Sequence, residues 1–210
     1  DNTLKSIDDI EKYNLGVLGI IPSIGNPDKK RRSWIVGKNR STSNSSTRGL
    51  KRRLITKEDP KSPVSEAYRS LRTSMLYSTS AKELKSILVS SAGPGEGKTT
   101  TVANLAITYA NLGMKTLLVD TDLRRPVVHK VFDLDRDPGV TTYLSSATDD
   151  YTSLVQTSEI DNLSIITAGI IPPNPSELLG SKRMTELVKL LENDWDMVLF
   201  DSPPMIAVTD

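Results

Sequence analysis

Residues 86–100, Ser-Ile-Leu-Val-Ser-Ser-Ala-Gly-Pro-Gly-Glu-Gly-Lys-Thr-Thr, constrain the fold more than any other stretch of this chain. The apolar run Ile87-Leu88-Val89 ends in small residues and a glycine-rich turn. Gly97-Lys98-Thr99 then leads into a helical pattern. Strand, tight loop and helix in immediate succession form the setting in which a phosphate-binding P-loop works. Over Gly93, Pro94, Gly95, Glu96 and Gly97, a backbone with few Cβ atoms can bring N–H groups up to phosphate oxygens. The helix start aims its unpaired N–H groups and positive dipole end at the same anion. Lys98 is then placed to reach the outer phosphates and the Thr99 hydroxyl to ligate Mg²⁺, with Thr100 beside them. One departure is visible. Ala92 stands where the pattern G-x-x-x-x-G-K-[ST] has its first glycine, and Gly93 follows one place later. A glycine-rich turn with a chance Lys-Thr is the competing reading, and the flanking strand and helix patterns disfavour it.

The rest of the chain reads as further turns of the same architecture. A helix from Thr99 to about Leu112 is expected to end at Gly113. Lys115-Thr-Leu-Leu-Val119 is an unbroken apolar strand, as in a parallel sheet covered on both faces. It ends in Asp120-Thr-Asp122, whose carboxylates point to one side if the extended conformation persists. Two such acids at a strand end repel one another and make sense beside a cation. Helical or loop segments are expected over 127–157, a third strand at 162–166 and a helix over about 181–193. The fourth strand, Asp196-Met-Val-Leu-Phe200, ends in Asp201. Four apolar residues followed by an acid form a Walker B pattern, in which Asp201 would hold Mg²⁺ through water.

Composition removes several function classes. There is no cysteine and a single histidine, His129, which excludes disulfides, thiolate metal sites and histidine-rich metal sites. No run of 18 apolar residues exists, so nothing in the sequence spans a membrane as a helix. The net charge of +1 hides an asymmetry: residues 26–53 hold ten Lys or Arg and one acid, Asp28, while the remainder holds 17 basic and 25 acidic side chains. This polar stretch, interrupted by Trp34-Ile-Val36, reads as a disordered linker over 23–60. Its charge is either plain solvation or attraction to an anionic membrane surface, at about 1 kcal/mol per basic residue near the headgroups. No motif supports a nucleic-acid partner. Residues 1–22 read as a short helix, capped by Ser6-Ile-Asp-Asp9, and a strand at Val17–Ile21 that docks elsewhere. Ser62-Pro63 opens another helix, with Val64, Ala67, Leu71 and Met75 as its apolar stripe. Glu66, Arg69 and Arg72 recur along a neighbouring face, a pattern that by itself usually marks a solvated row of ion pairs.

Taken together, these residues resemble the bacterial tyrosine kinases of capsule and exopolysaccharide export, the BY-kinases. The resemblance covers about residues 55–210. It rests on Ala92–Thr99, on Leu118-Val-Asp-Thr-Asp-Leu-Arg-Arg-Pro126 as the extra Walker A′ motif, on Val198-Leu-Phe-Asp201, on Pro172-Pro-Asn-Pro-Ser-Glu-Leu178 and on Glu66-Ala-Tyr-Arg-Ser-Leu-Arg72. It implies a P-loop NTPase three-layer α/β sandwich over 61–210, with a mainly parallel sheet truncated at its C-terminal end. The implied reaction is ATP- and Mg²⁺-dependent transfer to protein tyrosines. Lys98, Asp120 and Asp122 would be catalytic, Thr99, Asp122 and Asp201 would hold the metal, and Asp120 would lie near the acceptor hydroxyl. The resemblance also implies ring-like self-association through Glu66, Arg69 and Arg72. Residues 1–22 are then a juxtamembrane segment after a transmembrane chain-length-determinant region, at the cytoplasmic face of the plasma membrane. The tyrosine-rich tail of the family is absent: the six tyrosines are scattered. Two alternatives are a partition- or septum-type ATPase and an inactive nucleotide-binding adaptor. Gly93, at the place of that ATPase group's second lysine, opposes the first, and the intact Lys98, Thr99 and acids oppose the second.

Overall fold

The structure is a computed structural model that describes residues 10, 12–13, 16–23, 54–78 and 83–208. The basic stretch 26–53 and the capping box of residues 6–9 lie outside the described residues. The body is a five-stranded sheet: β1 (Ser86–Val89), β2 (Thr116–Asp120), β3 (Gln156–Thr157), β4 (Leu163–Ile166) and β5 (Met197–Asp201), in the order β1-β5-β2-β4-β3. Every pair is parallel except β3 with β4. The two central strands, β2 and β5, are buried at every position, which explains why both read as unbroken apolar runs.

Side chains leave these strands alternately to two cores. Leu118, Leu163, Ile165, Met197 and Leu199 face one side, against Val102, Leu105, Ala106 and Tyr109 of the helix that follows the P-loop, Lys98–Ala110. Leu117, Val119, Ile166, Val198 and Phe200 face the other, against Leu187, Leu191 and Trp195 and against Val140, Tyr143 and Leu144. The helices are α1 (Ile55–Glu58), α2 (Pro63–Ser78), α3 (Lys98–Ala110), α4 (Val128–Phe132), α5 (Val140–Leu144), α6 (Pro175–Leu179) and α7 (Lys182–Asp194). Layers of α3 with α1 and α2, sheet, and α5 with α7 make the three-layer sandwich. Among the described residues β1 pairs only with β5, and on this edge strand Leu88 is 66% exposed. Among the described residues no helix is long and apolar enough to cross a membrane.

Four expectations need correction. Residues 54–60, assigned to the linker, belong to the folded body: Leu54, Ile55 and Thr56 are buried, and Thr56 bonds Asn104 of α3. Residues 16–23 form no strand; Ile21 packs on the core and Gly19 lies over Leu71 of α2. The Ser62 cap of α2 is present, its Oγ accepting the Ser65 N–H at 3.1 Å. The buried face of that helix, however, is Ser65, Tyr68 and Leu71 rather than Val64 and Ala67. Within the stretch 127–157, Gln156 and Thr157 form the short strand β3, where only helix or loop was expected.

Candidate active site

The loop between β1 and α3 turns on two glycines in the left-handed region, Gly95 at φ +79° and Gly97 at φ +91°. A side chain at Gly97 would be strained whatever space surrounds it. Gly97 is also the N-cap of α3; it has no side chain to cap the first turn, and no acid lies in that turn. The helix start therefore presents its N–H groups and dipole to whatever anion enters the loop. Ser91 Oγ donates to the Gly93 carbonyl at 2.7 Å and braces the loop from below. Lys98 and Thr99 open the helix, with Thr99 buried and Lys98 half-buried. Gly93 is half-buried and Glu96 exposed, while the Thr100 carbonyl is engaged by Asn104 Nδ2 at 2.8 Å.

The acids come from the C-terminal ends of the two central strands. Parallel register puts Asp120 of β2 beside Asp201 of β5. Asp201 Oδ2 accepts a hydrogen bond from the Thr99 hydroxyl at 2.6 Å. The Asp201 carbonyl is held by the Thr121 N–H and hydroxyl at 2.8 and 2.7 Å. Asp120 is fully buried. Its Oδ1 accepts the Asp122 N–H and its Oδ2 accepts the Val127 and Val128 N–H groups, so it ties down the loop 122–128. Burial, and then the neighbouring Asp201, push Asp120 up to about 8. Asp122 differs. One of its oxygens accepts the Arg125 N–H, and the residue lines an open cleft of about 830 Å³ together with Pro94, Gly95, Lys98 and Thr99. The geometry thus separates two acids that sequence alone could not: Asp122 faces the cleft and Asp120 does not.

Sequence reasoning assigns no site role to the other cleft walls. Arg124 and Arg125 lie inside the quoted Asp120–Pro126 stretch, yet only its acids were singled out. Ile171, Pro172, Pro173, Pro203 and Pro204 also line the cleft; Pro172 and Pro173 fall in the Pro172–Leu178 motif that carries the resemblance, and Pro203 and Pro204 follow the Walker B strand. Metal fit rests on the donor set. A hydroxyl and a carboxylate already in hydrogen-bond contact, with Asp122 on the adjoining wall, are hard oxygen donors. Mg²⁺ with a polyphosphate needs only one or two protein carboxylates. A denser cage of three or more acids or histidines is absent among the described residues.

The Glu66, Arg69, Arg72 row lies on α2, outside the lining of this cleft, and it is not uniform. Glu66 and Arg69 pair with one another on the exposed side. Arg72 turns inward, donating from Nη1 to the Thr108 carbonyl at 2.6 Å near the C-terminus of α3. Desolvation by burial pulls its guanidinium down from the usual value, the phenol of Tyr109 opposing. The expectation that the whole row lies off the packed face therefore fails at Arg72.

A family profile described as an AAA domain matches residues 84–210. Tyrosine-protein kinase YwqD of Bacillus subtilis is 45% identical over 161 residues, 77% of this chain and 68% of that protein. The chain belongs to the bacterial tyrosine-protein kinase family. Tyrosine-protein kinase etk of Escherichia coli, a longer BY-kinase, is 32% identical over 201 residues, 96% of this chain and 27% of its own length. The kinase domain of Escherichia coli tyrosine kinase ETK superposes with a TM-score of 0.82 at 29% identity, covering 99% of this chain and 76% of that one. BY-kinase membership thus agrees with the three-layer P-loop architecture already derived.

Proposed function

We propose that this chain is an ATP- and Mg²⁺-dependent protein-tyrosine kinase. The observation that carries the reading is the junction of Thr99 and Asp201 at 2.6 Å beneath a cleft walled by Lys98 and Asp122. Phosphoryl transfer asks a protein mainly for positioning and charge neutralisation. The Gly93–Gly97 loop amides and Lys98 hold the phosphates, and the α3 N-terminus adds its dipole. Mg²⁺, when bound, would supply charge neutralisation at the phosphates, and Thr99 and Asp201 would hold it. Asp122 is the carboxylate that meets the acceptor hydroxyl, because it faces the cleft. Asp120 is a positioning residue whose three accepted N–H bonds fix the loop that carries Asp122. The septum-type ATPase alternative finds no support at Gly93, which carries no lysine.

The wider setting is part of the same proposal. The kinase acts in capsule or exopolysaccharide polymerisation and export, at the cytoplasmic face of the plasma membrane. Residues 26–53 lie against anionic lipid, residues 1–22 follow a transmembrane chain-length-determinant partner, and Glu66 with Arg69 joins copies into rings. The test is incubation with ATP·Mg and a tyrosine-containing acceptor, followed by mass spectrometry. Phosphotyrosine formed by the parent and abolished in Lys98→Met supports the assignment. ADP production without phosphotyrosine would favour an ATPase.

A further inference from the structure

A second concavity adjoins the cleft. It has a volume of about 370 Å³ and lies between α5 and the segment 170–178, lined by Asp137, Thr141, Thr142, Ala147 and Ile170 among others. Ile171, Pro172 and Pro173 belong to both, so one wall separates the two spaces. Ile170 and Ile171 are 61% and 48% exposed, although they sit in a run of four apolar residues. Clustered exposed apolar side chains beside a reactive cleft mark a binding surface more often than scattered ones do.

The backbone behind the groove is tightly held. Behind Thr141, which lines it, is a close backbone crossing in which the Val140 and Thr141 N–H groups donate to the Thr167 and Ala168 carbonyls at 2.8 and 3.0 Å. A Cβ on Gly139 would lie 2.2 Å from the Thr167 carbonyl oxygen, so only glycine permits the approach. A surface fixed before binding loses little freedom when it is occupied. Pro172 and Pro173 have no N–H, so that wall cannot recruit a peptide by strand pairing. Recognition there must come from side-chain packing.

We propose that this groove seats the extended peptide that presents the acceptor tyrosine, an apolar residue beside the tyrosine resting on Ile170 and a basic residue meeting Asp137. The inference rests on the kinase reading, which requires a peptide to reach Asp122 over the shared wall. Continuity with the cleft selects this occupant: a tyrosine side chain entering over Ile171–Pro173 leaves its neighbouring residues above the groove.

The test is fluorescence anisotropy of a labelled peptide, Gly-Leu-Leu-Tyr-Leu-Lys-Gly, with the full chain and a non-hydrolysable ATP analogue with Mg²⁺. A control peptide carries glutamate in place of leucine. The parent should bind the leucine peptide at least tenfold more tightly than the control. Ile170→Glu should erase that preference with unchanged affinity for the nucleotide and unchanged Tm, and Ile170→Leu should keep it. No preference in the parent, or an undiminished one in Ile170→Glu, overturns the proposal. So does light scattering showing that Ile170→Glu dissociates a dimer, which would make the groove a contact between copies. In a separate incubation with ATP·Mg in place of the analogue, a leucine peptide that binds but gains no phosphate on its tyrosine would leave the groove standing and count against the kinase reading.

Discussion

Asn104→Ala is the sharpest test of how the P-loop helix is held. Asn104 is fully buried in α3. Its Oδ1 accepts the Thr56 N–H at 3.0 Å and the Thr56 hydroxyl at 2.8 Å, and its Nδ2 donates to the Thr100 carbonyl at 2.8 Å. This one amide ties α1 to the second residue after Lys98. Truncation deletes bonds worth about 1 kcal/mol each net and leaves the Thr56 N–H buried without that acceptor, at about 1–3 kcal/mol. The sum is about 3–5 kcal/mol, because the Thr56 hydroxyl can turn to the Asn104 carbonyl, 3.4 Å away. At about 2–4 °C per kcal/mol for a domain of this size, Tm should fall by about 6–20 °C. Urea unfolding and hydrogen exchange at Thr56 would measure the loss, and exchange there should accelerate well beyond that of β2. A double-mutant cycle with Thr56→Ala should give a coupling of about 1–2 kcal/mol. A change below about 0.5 kcal/mol, the size of a neutral surface substitution, would mean that 54–60 belongs with the linker after all.

Further expectations concern charge. Asp120 is raised to about 8 in the fold against about 3.9 unfolded. The folded state therefore binds the extra proton between these values, and nucleotide-free stability falls as pH rises through that window, by at most about 1.4 kcal/mol per pH unit. Asp120→Asn should flatten the slope of urea stability from pH 5.5 to 8, and equal slopes in variant and parent would contradict the assignment. Arg72→Ala should cost about 1–2 kcal/mol by losing a charged bond to the Thr108 carbonyl. Arg69→Ala, which loses the Glu66 pair and a solvent-exposed bond to the Pro60 carbonyl, should cost less, below about 1 kcal/mol; if calorimetry reverses the two, Arg72 is no clamp. Residues 26–53 should carry the chain onto vesicles of anionic lipid and release it as salt screens charges beyond about 8 Å. Equal binding to neutral vesicles would refute a role for their charge.

The site was legible where one residue type has one use. Gly97-Lys98-Thr99 after an apolar run could be placed at once, and the acids ending β2 and β5 follow from strands too apolar to face water. The short α1 was hidden because Ile-Thr-Lys-Glu is too brief for a helical period and its buried anchor, Thr56, is polar. Strand β3 has two residues and no alternation to detect. Asp120 and Asp122 have the same spacing signal; what separates them is the turn of the loop 122–128, which folds its N–H groups back onto Asp120. Arg72 reads as surface on a helical wheel, yet Thr108 presents its carbonyl near the end of α3, and a cation there is favoured.

Partition of the γ-phosphate tests the central claim most directly. With ATP labelled at that position, Mg²⁺ and a tyrosine acceptor, label should accumulate on tyrosine in the parent. Asp122→Asn should lose at least tenfold in transfer while binding ATP·Mg within a few-fold of the parent. Label that goes to inorganic phosphate in the parent, or an Asp122→Asn variant that transfers at the parent's rate, would contradict a tyrosine kinase built on Asp122.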